Sequence, residues 1–150
     1  MLRPVTREDG PAVVDLVVAV GMFSRDEAAF LEEALAPAEG RTCLVEDADG
    51  GGLASVVLYR PEEAADRAFD LTMIAVRPDL QGEGRGAGLM RHVEQDLRDQ
   101  GQRMLVVRTS GTARYDRTRA FYRGLGYTEH VRVPDYWTDG DDLVLSTKRL

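Results

Sequence analysis

Four glycines lie at every second position from 82 to 88, in the stretch QGEGRGAGLM. The apolar run 68–76 before them predicts a strand, and apolar residues recur at helical spacing after them. Glycine is a poor residue with which to begin a helix, so its use here needs another reason. A helix start carries unpaired backbone N–H groups and partial positive charge, and glycine lets an anion approach that backbone closely. The segment therefore predicts a loop that binds phosphate groups.

Two other phosphate-binding patterns do not fit this segment. A nucleotide-binding P-loop ends in Gly-Lys-Ser/Thr, whereas this loop ends Gly-Ala-Gly-Leu, and the only lysine of the chain is Lys148. The dinucleotide fingerprint G-x-G-x-x-G/A is met by Gly82, Gly84 and Ala87. It also requires an acidic residue at the end of the next strand. That strand ends VVRTS, without an acid.

A third pattern, Q-x-x-G-x-G, is met by Gln81, Gly84 and Gly86. Together with the preceding IAVRPDLQ, it resembles the acetyl-CoA motif of the GNAT superfamily of N-acetyltransferases. The segment TRAFYRGLGY, 118–127, is similar to the family's second motif, A-x-x-F-Y-x-x-x-G-F/Y. The chain departs from the family pattern at Thr118, where Ala is usual. It departs again at Tyr115, where many members carry an Asn that contacts the cofactor.

The resemblance implies transfer of an acetyl group from acetyl-CoA, as cosubstrate, to a primary amine of a small molecule or peptide, without a metal. The backbone of Ile74, Ala75 and Val76 would run beside the pantetheine arm, on a strand that splays from its neighbour. The alternative for these three residues is an ordinary strand, and for the loop a plain glycine-rich turn. The other cofactor-binding residues implied by the resemblance are Gln81, Gly82, Glu83, Gly84, Arg85, Gly86, Ala87, Gly88 and Tyr115.

Two side chains are candidates for the proton transfers of this reaction. An alkylamine has a pKa of about 10.4, so it arrives protonated and must lose a proton before it attacks the thioester. Tyr122 is the candidate general acid for the leaving thiolate, since a phenol can donate a proton to a thiolate. Its alternative role is core packing beside Phe121. Asp70 is the candidate base, at a strand position where some members carry a catalytic Glu. A strand-end or substrate-positioning carboxylate is the alternative for Asp70.

Several other features suggest chemistry less strongly. Arginines near the two motifs could add positive charge for an anionic cofactor, although a solvated surface role is the alternative for each (Arg77, Arg114, Arg117, Arg119 and Arg123). We expect His92 to be a surface residue, and His130 has no second ligand pattern for a metal. Cys43 is expected to be a small buried strand residue. The segment DYWTDGDD, 135–142, is predicted as a loop that could close over a cationic substrate, or simply as a solvated hairpin loop.

The elements that must position these residues have the order βααβββαβαββ. Alternating and continuous apolar runs predict strands at 2–5, 41–47, 53–60, 68–76, 103–110, 127–133 and 142–148. Helices are predicted at 12–20, at 25–36 between the Ser24–Glu27 capping box and Pro37, from the glycine loop to Gln100, and at 116–123. We therefore expect an α/β fold of the GNAT type, with a mixed, largely antiparallel sheet and helices on both faces.

Length and charge limit the classes of function. A chain of 150 residues suits one domain, 1–150, and a net charge of −7 argues against nucleic acid as a partner. The chain has one cysteine and no apolar run of membrane-helix length, so we expect a cytoplasmic protein with no membrane partner. Dimers are common among proteins that look like this, so a homodimer is one expectation. The rival to an enzyme is a sensor or interaction module that binds CoA without turnover.

Overall fold

The computed structural model describes residues 1–35 and 40–150. The strands are β1 (Leu2–Pro4), β2 (Thr42–Asp47), β3 (Leu53–Pro61), β4 (Ala68–Val76), β5 (Met104–Ser110), β6 (Thr128–Thr138) and β7 (Asp141–Arg149). The helices are α1 (Gly10–Ala19), α2 (Arg25–Ala28), α3 (Leu31–Ala34), α4 (Arg85–Asp99) and α5 (Asp116–Gly124). Short 3₁₀ turns lie at Arg7–Asp9, Pro78–Leu80 and Ala113–Tyr115.

The seven strands are hydrogen-bonded in the order β1-β2-β3-β4-β5-β7-β6. The pairs β1–β2, β2–β3, β5–β7 and β6–β7 are antiparallel. Strands β4 and β5 are parallel, in register from Ala68 opposite Met104 to Leu71 opposite Val107. This mixed, mostly antiparallel sheet confirms the predicted fold class.

The chain forms two compact units. Residues 1–60 and 73–92 make up the first, and residues 61–72 and 93–150 make up the second. The first unit has an apolar core in which α1 packs with strand residues, and Val13, Val17, Val45 and Val56 are completely buried there. The apolar run of α1 therefore forms the buried helix that the sequence predicts.

The second unit buries one face of the last part of α4 and most of β5. Val93 and Leu97 of α4 and Leu105 of β5 are completely buried. Helix α4 ends at Asp99, and Gly101 follows it with a φ of +75°. Gln102 N–H donates to the Leu97 carbonyl at 2.9 Å. This is the terminating geometry that glycine favours, so the predicted helix end is confirmed.

The predicted second helix, 25–36, is wrong as a single element. Its start is confirmed, because Ser24 Oγ accepts a hydrogen bond from Glu27 N–H at 3.2 Å. The helix is interrupted between α2 and α3, although Ala29 and Phe30 keep right-handed helical dihedral angles. The interruption is thus a local loss of helical hydrogen bonding without a reversal of the chain. The predicted end at residue 36 and the breaker Pro37 lie outside the described residues.

The prediction of a loop at 135–142 is also wrong. Strand β6 continues to Thr138 and β7 begins at Asp141, which leaves only a two-residue turn. The register of β6 with β7 is irregular between Val133 and Thr138. Two side chains supply hydrogen bonds to the backbone of this hairpin. Asp142 accepts from the N–H of Asp135 at 3.0 Å, and Asp135 accepts from that of Gly140 at 2.7 Å. These carboxylates stabilise an extended hairpin that their polarity alone did not indicate.

Candidate functional site

The loop between β4 and α4 has the conformation that its glycines permit. Gly82 and Gly84 have φ of +80° and +81°, a region that L side chains rarely adopt. The amide of Gln81 donates from Nε2 to the Val76 carbonyl at 2.9 Å, which ties the loop to the end of β4. Gln81 thus has a structural role in the loop beside its position in the Q-x-x-G-x-G pattern.

The start of α4 presents backbone donors. Gly88 N–H makes the first helical hydrogen bond, to the Gly84 carbonyl at 2.9 Å. The N–H groups of Arg85, Gly86 and Ala87 precede any intrahelical acceptor, as in the first turn of every α-helix. Partial positive charge collects at the same end of the helix. The loop and helix start can therefore bind an anion such as phosphate through backbone N–H groups.

The arginines beside this loop are already paired with carboxylates. Arg85 donates from Nη1 to Glu46 Oε1 at 3.0 Å, and its Nε lies 3.9 Å from Glu83 Oε2. Arg77 donates from Nε and Nη2 to the two carboxylate oxygens of Asp79, at 2.7 and 3.0 Å. In this structure the positive charge near the loop is therefore compensated locally, and the helix start supplies the free donors.

The end of β4 provides the backbone that the family resemblance assigns to the pantetheine arm. Ala75 is buried, and Ile74 and Val76 are half-buried. The Val76 carbonyl is occupied by Gln81, and the following N–H, of Arg77, donates to the Ala54 carbonyl at 2.9 Å. The parallel register of β4 and β5 ends at Leu71, before these residues. The contact of residues 74–76 with a cofactor stays a prediction.

Tyr122 lies on α5 among aromatic rings. Only 5% of its surface is exposed, and its ring centroid lies 5.2 Å from that of Phe121 and 5.6 Å from that of Tyr127. Burial raises the pKa of the Tyr122 phenol well above its usual value of 10. The phenol is therefore protonated throughout the neutral range. It can donate a hydrogen bond there, and its burial also fits the core-packing alternative.

Tyr115 lies at the residue before α5 and is half-buried. Its N–H donates to the Thr112 carbonyl at 3.0 Å, and the guanidinium of Arg114 lies 5.8 Å from the centre of its ring. The ring thus offers an aromatic face where many relatives place an Asn. Its contact with a cofactor stays a prediction.

Asp70 belongs to a charged network inside the second unit. It is buried at 6% exposure, and its carboxylate accepts from Thr72 Oγ1 at 3.0 Å and from Arg108 Nη1. Arg108 also donates from Nη2 to Glu62 Oε2 at 2.7 Å. The alternation of β4 did place Asp70 and Thr72 on one face. Sequence analysis missed Arg108 and Glu62, and the one available signal was a charge inside the apolar run VVRTS.

A second network was missed entirely. The carboxylate of Glu94, on α4, is buried and accepts from Tyr127 Oη at 2.9 Å and from Lys148 Nζ at 2.9 Å. Lys148 also donates to the Leu125 carbonyl at 2.8 Å, and Arg98 reaches Glu94 at 3.3 Å. Burial first, and then the charge of Glu94, raise the pKa of the Tyr127 phenol. This network joins α4, the end of α5 and β7 within the second unit.

The remaining candidate side chains either support the fold or lie exposed at the surface. Arg119 donates to the carbonyls of Ser110 and Thr112, at 2.6 and 2.9 Å, so it supports the turn before α5. His92 is exposed, and Cys43 is buried in β2, as predicted. Burial raises the pKa of the Cys43 thiol to about 12, which makes it a poor nucleophile. No group of three or more metal-ligating side chains occurs among residues 1–35 and 40–150, and none of the helices described there could cross a bilayer.

Comparison with known proteins agrees with this fold. The model of the acetyltransferase (GNAT) domain family matches residues 39–129. An amino-acid acetyltransferase from Azotobacter vinelandii is 33% identical over 123 residues, or 80% of this chain. The chain spans only 27% of that relative's length.

Two solved structures extend the likeness to the whole chain. One is a protein assigned to the GNAT acetyltransferase family from Desulfovibrio desulfuricans, with a TM-score of 0.91 and 29% identity over 99% of this chain and 98% of that one. The other is an aminoglycoside 6'-N-acetyltransferase complexed with coenzyme A, with a TM-score of 0.76. At 16% identity, over 99% of this chain and 96% of that one, the second likeness concerns the fold alone. The family model spans more than half of the 150 residues, and the chain therefore belongs to the GNAT family of acetyltransferases.

Proposed function

We propose that this chain transfers an acetyl group from acetyl-CoA to a primary amine. The observation that carries the proposal is the start of α4, where left-handed Gly82 and Gly84 lead into a helix whose first N–H groups have no intrahelical acceptor. Such a start binds pyrophosphate well, because three donors and the helix dipole act on the same anion. Because the chain belongs to an acetyltransferase family, we assign this helix start to the pyrophosphate group of acetyl-CoA.

The donor would be bound by two segments of the first unit. We assign the pyrophosphate to the loop and helix start, 81–88, and the pantetheine arm to the backbone of Ile74, Ala75 and Val76. Gln81 supports both assignments, since its side chain fixes the loop to the Val76 carbonyl. We assign a further cofactor contact to Tyr115, whose half-buried ring could pack against the cofactor.

The reaction forms one C–N bond and breaks one C–S bond. The neutral amine nitrogen attacks the thioester carbonyl carbon, and collapse of the tetrahedral oxyanion expels the CoA thiolate. The amine loses a proton to a base, and the thiolate gains one from an acid, so the products are an amide and free CoA thiol. Orientation of the two reactants and stabilisation of the oxyanion contribute most of the rate.

We assign the acid to Tyr122, whose phenol is protonated at neutral pH and whose pKa burial raises further. The same burial makes a free phenolate costly. Donation is therefore best described as a hydrogen bond that strengthens as negative charge develops on the sulfur. Tyr122→Phe removes this donor while it keeps the ring contacts with Phe121 and Tyr127. We expect turnover to fall about 100- to 1000-fold, the lower part of the range for general acids, with the KM for acetyl-CoA little changed.

We assign the base to Asp70, with substrate positioning as the alternative. Its carboxylate is already a hydrogen-bond acceptor for Thr72 and Arg108. Asp70→Asn is nearly isosteric and can still accept from Thr72. If Asp70 is the base, this change abolishes the rise of kcat/KM with pH. If it only positions the acceptor, the KM for the amine rises and the shape of the pH profile persists.

The acceptor is proposed only as an amine of a small molecule or a peptide. The relatives differ on this point, since one is named for amino acids and another for aminoglycosides. A net charge of −7 favours a cationic acceptor through long-range attraction. A cytoplasmic location fits a single buried thiol, and a homodimer remains our proposal from the family resemblance.

One observation favours a second candidate, a CoA-binding module without turnover. The carboxylate of Asp70, the proposed base, accepts a hydrogen bond from Arg108, which also donates to Glu62. Titration with acetyl-CoA, followed by the thermal midpoint of unfolding, tests binding for both candidates. Release of free CoA thiol with a panel of primary amines separates them. Turnover with any amine above the buffer rate supports the enzyme, whereas tight binding with no release supports the module.

A further inference from the structure

Arg85 is the first residue of α4, and its guanidinium pairs with a carboxylate of β2. Its Nη1 donates to Glu46 Oε1 at 3.0 Å, and one third of the side chain remains exposed. Its buried Nε has no hydrogen-bond partner among the described residues, and it lies 3.9 Å from Glu83 Oε2. A buried charged donor without an acceptor is unfavourable, so this arrangement leaves part of the guanidinium's bonding capacity unused.

The Glu46 carboxylate has a second hydrogen-bond partner besides Arg85. Its Oε2 accepts from the hydroxyl of Ser55, which is completely buried. We expect this hydrogen bond to persist when the guanidinium leaves Glu46, because Arg85 uses the other carboxylate oxygen. Arg85, by contrast, would gain a better partner at a phosphate, where a planar guanidinium can donate two parallel hydrogen bonds.

Glu46 also affects the charge that an anion meets at this helix start. Arg85 contributes +1, while Glu46 and Glu83 contribute −2, so the three side chains together carry −1. A pyrophosphate approaching the free N–H groups of α4 therefore meets a guanidinium already compensated by fixed carboxylate charge. The backbone donors must then act without help until Arg85 changes partner.

On the basis of the proposed function, we propose that Glu46 competes with the pyrophosphate of acetyl-CoA for Arg85. In the free protein Glu46 holds the guanidinium. On binding, the guanidinium moves to the pyrophosphate, and Ser55 remains hydrogen-bonded to Glu46. Glu46 thereby lowers the affinity for acetyl-CoA, and, by the same competition, for the CoA product that must leave after each turnover.

Isothermal titration of acetyl-CoA into Glu46→Gln tests this competition. The Gln carbonyl can still accept from Ser55, so the substitution removes charge with little change of shape. We expect the dissociation constant to fall roughly 2- to 5-fold, the upper part of the range of a partly exposed ion pair. The matched control is Asp47→Asn on the same strand, where the carboxylate pairs with Arg3. We expect this control to change the dissociation constant less than twofold, roughly the effect of a distant surface charge.

A double-mutant cycle assigns the effect to Arg85. Arg85→Gln should weaken binding, and Glu46→Gln should bring no gain in that background, because the competition no longer exists. The gain should persist with acetyl-dephospho-CoA, which keeps the pyrophosphate, and should vanish with acetyl-pantetheine, which lacks it. An unchanged or higher dissociation constant for Glu46→Gln overturns the inference, as does an equal gain in the Arg85→Gln background. If the unmutated protein does not bind acetyl-CoA at all, the proposed function itself fails.

Discussion

Gly84, in the loop before α4, and Gly88, in the first turns of α4, should respond in opposite directions to the same substitution. Gly84 has a φ of +81°, and a methyl group added there meets no heavy atom within 4 Å. Gly88 lies inside α4, and a methyl group added there meets only Arg91 Nη2, at 3.8 Å, an ordinary contact distance. Neither Gly84→Ala nor Gly88→Ala is therefore a steric problem. The difference between them is one of backbone conformation.

The magnitudes follow from the backbone. An L residue in the left-handed region costs about 1–2 kcal/mol, and alanine recovers about 0.4–1 kcal/mol by restricting the unfolded chain. Gly84→Ala should thus lower the free energy of unfolding by about 1 kcal/mol. Gly88→Ala should raise it by about 0.8–1 kcal/mol, the difference in helix propensity between the two residues. The two variants should differ by about 2 kcal/mol, or roughly 4–8 °C in Tm for a chain of this length.

Urea denaturation of both variants, followed by circular dichroism, measures these differences. The slope of the free energy against urea should be unchanged, since neither substitution alters the surface exposed on unfolding. Equal stability of the two variants, or a more stable Gly84→Ala, would refute the loop conformation described above. If Gly88→Ala proved destabilising, the start of α4 at Arg85 would be wrong.

Three further predictions concern Glu94, Asp9 and Tyr122. Glu94→Gln leaves Lys148 without its buried counter-charge and should lower the free energy of unfolding, measured by urea denaturation, by about 3 kcal/mol. Arg98→Gln should lower it by less than about 1 kcal/mol, because the Arg98 side chain is more exposed. Hydrogen bonds from Arg3, opposed in part by desolvation, hold the pKa of Asp9 below its unfolded value of about 3.9, so Asp9 stabilises the fold above that pH and the stabilisation is lost as pH falls below it. Asp9→Asn should accordingly reduce the loss of stability between pH 7 and pH 3, and an unchanged difference would contradict this linkage. For Tyr122→Phe, the expected fall in turnover should come without a matching fall in Tm; unaltered kcat across the pH range would remove Tyr122 from the chemistry.

Much of the fold could be predicted because local patterns determine it. The bounds predicted for β4, 68–76, agree with the structure because a mostly apolar run lies shortly before Pro78. Helix α4 was predictable because Met90, Val93 and Leu97 recur at helical spacing, and all three are completely buried. The phosphate-loop hypothesis rested on the same kind of local evidence, namely glycines between a strand and a helix.

The charged partners could not be predicted, because they join distant parts of the chain. Arg108 meets Asp70 across 38 residues, and Lys148 meets Glu94 across 54. No local pattern indicates which carboxylate a given cation will reach. The pairing of Arg85 with Glu46, 39 residues away, was missed for the same reason. The sequence therefore indicated which residues border the loop, whereas their mutual compensation of charge is visible only in three dimensions.

The central claim is that the start of α4 binds the pyrophosphate of acetyl-CoA. Its most direct test is amide-resolved NMR of the ¹⁵N-labelled protein during titration with acetyl-CoA. We predict that the largest shifts of amide resonances occur at Arg85, Gly86 and Ala87, and that acetyl-pantetheine, which has no pyrophosphate, does not reproduce them. Saturable binding of acetyl-CoA that leaves these three amides unmoved would contradict the account.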